Sequence, residues 1–137
     1  MNLPLNYVAI LLAALSSLIV GTVWYLPAVF GRRFQTLTGV DPNKPKRPIV
    51  TYALTFVGSL FTAYVLAYVT FLTYEYFHSD ILTRALLTAF FLWLGFTAAR
   101  LLIHDLFEQR TLRVYLITIG HELVTVLVMA VIIALLR

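Results

Sequence analysis

The chain has no cysteine. Disulfide frameworks, thiolate zinc sites, iron–sulfur clusters and cysteine nucleophiles are therefore excluded. Charge is scarce as well: Asp, Glu, Lys and Arg make up 12% of 137 residues, against about 25% in a typical soluble domain. There is no glycine-rich phosphate loop, no HExxH and no GxSxG run. Apolar residues take the place of what is missing, at 61% hydrophobic and a mean hydropathy of +0.92. A soluble protein this small has too much surface for its volume to hide that fraction. A soluble globular domain, a disordered chain and a free nucleic-acid-binding module are thereby excluded. The composition points to an integral membrane protein whose first partner is the lipid bilayer.

A spanning helix needs about 20 mostly apolar residues, and four segments meet that length. Leu3 to Phe30 and Pro48 to Tyr74 carry no charge, Arg84 and Arg100 bracket a third apolar core, and Leu112 to Leu136 carries His121 and Glu122 inside it. The runs lack the roughly ten-residue alternation of barrel strands, so the expected fold is an all-α bundle in one domain, residues 1–137. Its four transmembrane helices are expected at about 4–30, 48–77, 80–104 and 111–136, with a basic cytoplasmic loop at 31–47. Asn2, Ser79 and Thr111 are the expected N-caps of helices one, three and four, and Pro48 suits the first turn of helix two. Phe30-Gly31 should close helix one with a left-handed cap, after a kink at Pro27.

Lys and Arg set the orientation. Arg32, Arg33, Lys44, Lys46 and Arg47 follow the first helix, and Arg110 and Arg113 lie in the third connection with Arg100 close by. The other side holds Arg84 and Arg137 alone. The bundle should therefore run up-down-up-down, with the first and third loops in the cytoplasm and both termini outside. The net charge of +4 is a topology signal. The five basic residues of the first loop double as a patch for anionic lipid headgroups. The first helix has no basic leader and a long apolar run, so it is expected to be retained rather than cleaved.

Small residues let membrane helices approach closely. Helix one has a row at four-residue spacing, Ala9, Ala13, Ser17 and Gly21, which serves either intramolecular packing or a homo-oligomer seam. Helices two and four share a polar pattern: Tyr52, Thr55, Ser59 and Thr62 are spaced like Tyr115, Thr118, Glu122 and Thr125. Both stripes are expected to face the bundle interior. Trp93 falls near mid-membrane, where its indole N–H wants a hydroxyl or carbonyl on a neighbouring helix.

Glu122 is the ionisable residue that topology does not explain. It lies roughly 16 Å into helix four at 1.5 Å per residue, and a carboxylate at that depth marks a function, a partner or a neutral form. The candidate proton or cation site is Glu122 with His121, Thr118, Thr125 and Arg100. In the alternative, Glu122 is merely hydrogen-bonded to Thr118, Thr125, Tyr64 or Trp93 and fixes helix register. His121 points about 100° away from Glu122, so the two need not touch. Glu75 and Arg84 could pair across the second loop. His104, Asp105 and Glu108 form a solvated helix end rather than a metal site, and the same holds for His78 and Asp80. No cofactor, metal or catalytic residue is expected, and nothing positive supports an enzyme.

One segment has a familiar form. Asn6-Tyr7-Val8-Ala9 opens helix one, and Gly21-Thr22-Val23-Trp24-Tyr25 with Phe30-Gly31 closes it. The pattern N-x-x-A followed by G-x-x-W-Y-x-x-x-x-F-G resembles the N-terminal signature of the small bacterial membrane proteins of domain-of-unknown-function family 1761. Phe34 stands where a second tryptophan often follows. The resemblance implies four helices and a bacterial inner membrane, and makes Trp24, Tyr25, Phe30 and Gly31 an interfacial signature. It implies no activity. Two readings of function stay open: a small oligomeric transporter or channel built on Glu122, and a structural or accessory subunit that packs into a larger membrane complex through the helix-one row.

Overall fold

The computed structural model describes residues 3–137. Its helices are α1 (Tyr7–Trp24), α2 (Arg32–Thr38), α3 (Pro48–Phe77), α4 (Ile81–Leu92), α5 (Ala99–Phe107) and α6 (Leu112–Leu135), with π-helical turns at Pro27–Gly31 and Trp93–Ala98. There is no strand among the described residues. Four helical spans, Tyr7–Trp24, Pro48–Phe77, Ile81–Phe107 and Leu112–Leu135, are long and apolar enough to cross a membrane, and α4, the second π turn and α5 together make the third of them.

The ends of these helices are set by local polar chemistry. Asn2 lies outside the described residues; Asn6 caps α1, its Oδ1 accepting from the amides of Val8 at 3.0 Å and Ala9 at 3.3 Å. The Asn6 amide also donates to the Leu136 carbonyl, so the start of α1 meets the end of α6. Asp80, not Ser79, caps α4: its Oδ2 accepts from the Thr83 amide at 2.9 Å and the Thr83 hydroxyl at 3.1 Å. Ser79 accepts instead from the Arg84 guanidinium, which also lies 4.3 Å from the Phe77 ring centroid. Glu75 and Arg84 form no ion pair. Thr111 caps α6 through the Val114 amide at 3.4 Å, and Pro48 occupies the first turn of α3.

The end of helix one differs most from expectation. α1 stops at Trp24, and the residue before Pro27 is extended (Leu26, ψ 143°), as the proline ring requires. Proline lacks the N–H that would continue the helix, and the chain re-forms as a π turn and then α2. Gly31 is not a left-handed cap: its φ is −60°. Glycine is needed there because a Cβ would lie 2.2 Å from the Tyr25 carbonyl oxygen. The left-handed glycine is Gly39, φ 74°, at the end of α2.

α1 packs on α3 and α6, and α4 packs on the same two helices, while α3 and α6 touch only lightly across the middle. The core is built largely from alanine: Ala13 and Ala14 of α1, Ala63 and Ala67 of α3, Ala85 and Ala89 of α4, and Ala130 and Ala134 of α6, filled out by Met129 and Leu66. Without a hydrophobic drive in lipid, such residues gain by letting backbones come close. The helix-one row is used inside the chain. Ala9, Ala13 and Ser17 are buried, Ser17 donates to the Ser59 hydroxyl at 2.7 Å, and Gly21 faces His121. A homo-oligomer seam through that row is therefore corrected to an intramolecular contact.

The polar stripe of helix two is corrected in part. Ser59 reaches α1, but Tyr52, Thr55 and Thr62 are exposed. Thr55 and Thr62 donate to their own backbone, at Thr51 (2.7 Å) and Gly58 (3.1 Å). α3 has 30 residues against 18 in α1, so its first turns have no facing helix along α1. Ile49, at 85% exposure, shows how bare they are.

Two outcomes follow from the helix ends. Gly31→Ala should cost about 1–3 kcal/mol through overpacking against the Tyr25 carbonyl, while Gly58→Ala, with open space around it, should be neutral or slightly stabilising; melting of the two variants in detergent distinguishes these outcomes. The Thr83 amide, then the Thr83 hydroxyl, holds the Asp80 carboxyl below the usual carboxylate range. A depressed folded-state pKa adds stability above the unfolded value and loses it as pH falls through the folded one. Asp80→Asn keeps a capping side chain and should flatten that acid limb. An acid limb parallel to that of the parent protein would show that the cap is not its source.

Candidate functional site

α6 presents Gly120, His121 and Glu122 to the last turn of α1. The contact is possible because both sides give room. A Cβ on Gly21 would lie 3.4 Å from His121 Nε2, and one on Gly120 would lie 3.0 Å from the Trp24 ring. Trp24 uses that space to donate its indole N–H to the Ile117 carbonyl at 3.1 Å. Its ring stacks on Phe30 at 4.5 Å between centroids, tilted by 29°. The Tyr25 ring lies 5.3 Å from the imidazole of His121 and makes an edge contact with Phe34 at 5.3 Å. Asn43, from the first loop, reaches back and donates to the Tyr25 carbonyl at 2.9 Å.

His121 and Glu122 do meet: Nδ1 and Oε1 are 3.5 Å apart, with the imidazole 17% and the carboxylate 40% exposed. On its other side His121 Nε2 is 3.4 Å from the Thr125 hydroxyl oxygen. That hydroxyl also donates to the His121 carbonyl at 2.8 Å. The hydrogen of a neutral imidazole can sit on either nitrogen: on Nδ1 it faces Glu122 Oε1, and on Nε2 it faces the Thr125 oxygen. His121 thus links the carboxylate to Thr125.

The pair is level with the last turn of α1, not with its middle. α6 begins alongside α2, beyond the point where α1 stops, so counting along α6 alone overstates its depth. Arg100 is exposed on α5 and makes no ion pair with Glu122. Thr125 is buried beside His121, and Thr118 donates to its own backbone at Val114, 3.0 Å. Trp93 donates to the Ile119 carbonyl at 2.9 Å and Tyr115 to the Ala98 carbonyl at 2.8 Å, so both serve the packing of the third span on α6. Tyr64 is exposed and takes no part in the site.

Among the described residues no three His, Asp or Glu side chains group as metal ligands. Glu108 pairs with Arg110 at 3.1 Å in solvent, while Asp105 is buried. Lys44, Lys46 and Arg47 are exposed on the first loop, and Arg32 and Arg33 form the first turn of α2. Sequence reasoning assigned Trp24 and Tyr25 to an interfacial belt and did not connect them to His121. Gly120 and Asn43 were missed. The available signal was the run Gly120-His121-Glu122, small then ionisable, inside an apolar helix.

The comparisons with known proteins agree with the N-terminal pattern and extend it. The family described as "Protein of unknown function (DUF1761)" matches residues 8–134. No curated protein matches the chain, and no solved structure does. The match takes in α1, His121 and Glu122 alike, and with nearly the whole length covered, the chain belongs to the DUF1761 family.

Proposed function

We propose that this multi-pass membrane protein is a small transporter or channel that passes a proton, or a cation in its place, through His121 and Glu122. The observation that carries the reading is the contact of the pair inside an apolar helix: His121 Nδ1 and Glu122 Oε1 are 3.5 Å apart, with Thr125 on the far side of the imidazole. Gly21 and Tyr25 close one side of the pair, and the protein leaves 40% of the Glu122 side chain uncovered.

In this reading the four spans run up-down-up-down in a bacterial inner membrane with both termini outside. The support is the basic count of the first and third loops. The meeting of Asn6 with Leu136 is consistent with that order. The uncovered first turns of α3 favour an oligomer. They also give the accessory-subunit reading its one specific support, since the helix-one row is already used inside the chain.

Flux in proteoliposomes separates the two readings. A pH-sensitive dye trapped inside should report proton entry when a potassium diffusion potential is imposed on the parent protein. Glu122→Gln and His121→Ala should each reduce entry to near the level of protein-free vesicles, while Gly58→Ala should not. Parent flux equal to that of empty vesicles, or full flux in both variants, would remove the transport reading and leave the subunit.

A further inference from the structure

A groove of about 860 Å³ opens below Trp24 and Phe30, between α2 and the first turns of α6. Three arginines reach it: Arg32 and Arg33 from α2, and Arg113 from α6. The ion pairs of the described residues are Glu108 with Arg110 and Glu122 with His121, so none of the three has a carboxylate partner. The rest of the wall is mainly apolar, with Leu37, Leu116 and Ile117 beside the two aromatic rings. Arg113 counts as a topology charge in the sequence; the fold moves it next to Arg32 and Arg33, while Lys44, Lys46 and Arg47 stay out of the groove.

We propose that this groove binds one anionic phospholipid, its phosphate held by Arg32, Arg33 and Arg113 and an acyl chain laid against Phe30, Leu37 and Leu116. Guanidinium groups suit the site because they present paired donors to phosphate oxygens. Three cations without a carboxylate partner beside an apolar wall suit an occupant that is both anionic and apolar. Size points the same way. Sites of about 300–1,000 Å³ hold drug-sized ligands, so a free phosphate would fill only part of this one. The groove also lies where α1 ends and α6 begins, at the limit of two apolar spans, which is where a headgroup sits.

The two tryptophans of the chain make the test direct, because Trp24 lines the groove and Trp93 does not. The full chain with Trp93→Phe is reconstituted in phosphatidylcholine vesicles, and Trp24 emission is followed as phosphatidylglycerol with brominated chains is added. Quenching should set in at a mole fraction about fivefold lower than for brominated phosphatidylcholine, a ratio expected for about one arginine contact or more. Arg113→Ala and Arg33→Ala should each shrink the preference, and Arg84→Ala, at the other end of the bundle, should keep it. Excess inorganic phosphate should not relieve the quenching. Equal quenching by the two lipids, or a preference that survives both arginine substitutions, would overturn the proposal. Full relief by inorganic phosphate would make the groove a soluble-phosphate site and overturn the lipid assignment. If Trp93→Phe does not reconstitute, native mass spectrometry of the parent protein reads the same point. One phosphatidylglycerol per chain should be retained and should be lost with Arg113→Ala; no retained lipid would refute the site.

Discussion

The indole N–H of Trp24 meets the carbonyl oxygen of Ile117 across the bundle at 3.1 Å. Little else in the apolar interior of the bundle could satisfy that N–H, and a buried donor without a partner costs about 1–3 kcal/mol. The bond therefore fixes how far α1 slides along α6. The ring then needs space on α6, which Gly120 leaves open, and a surface beneath it, which Phe30 supplies. Phe30 can fold back only because Pro27 interrupts the helix and Gly31 lets the chain pass close to the Tyr25 carbonyl. The site residues, the π turn and the position of α2 thus follow from one donor and its acceptor.

α6 is held in this way from two sides. Trp93, on the third span, donates to Ile119, and carbonyls two residues apart point about 200° away from each other around a helix. The two indoles therefore clamp α6 between α1 and the third span at nearly one level. Above the clamp the bundle closes through alanine contacts toward Asn6 and Leu136. Below it the first turns of α3 are uncovered and the groove appears. Alanine permits close approach but specifies little, whereas the indole bonds have defined partners. The two ends of the bundle differ because different forces set them.

The long apolar runs made the four spans legible, since lipid leaves a backbone few alternatives to a helix. The partner of Trp93 was legible too, because a mid-membrane N–H demands one. The end of helix one was not. Pro27, Phe30 and Gly31 were read as a kink and a glycine cap, a pattern that fits many helices. Only the close approach to the Tyr25 carbonyl shows why the glycine is there. The stripe of Tyr52, Thr55, Ser59 and Thr62 follows the right period, but period gives a face and not a neighbour. α3 outruns α1, and no local signal in α3 reports the length of another helix. The meeting of Tyr25 with His121 joins segments nearly a hundred positions apart and depends on the register that Trp24 sets. Pattern within one helix carries no information about it.

The same register decides which charge Glu122 can answer to. Arg113 stands nine positions earlier on α6, about 13.5 Å along the axis, and forms no ion pair with Glu122. The Trp24 ring and Gly120 lie between the groove and the pair on that face. Arg100 is exposed on α5 and unpaired with it. Among the described residues no lysine or arginine pairs with the carboxylate, and His121 is the ionisable group in contact with it. An arginine there would hold Glu122 permanently as an anion, because guanidinium does not give up its proton. His121 can instead meet the carboxylate as a neutral hydrogen-bond donor through Nδ1. The fold thus keeps Arg32, Arg33 and Arg113 at the groove and places a histidine, not a guanidinium, at the carboxylate.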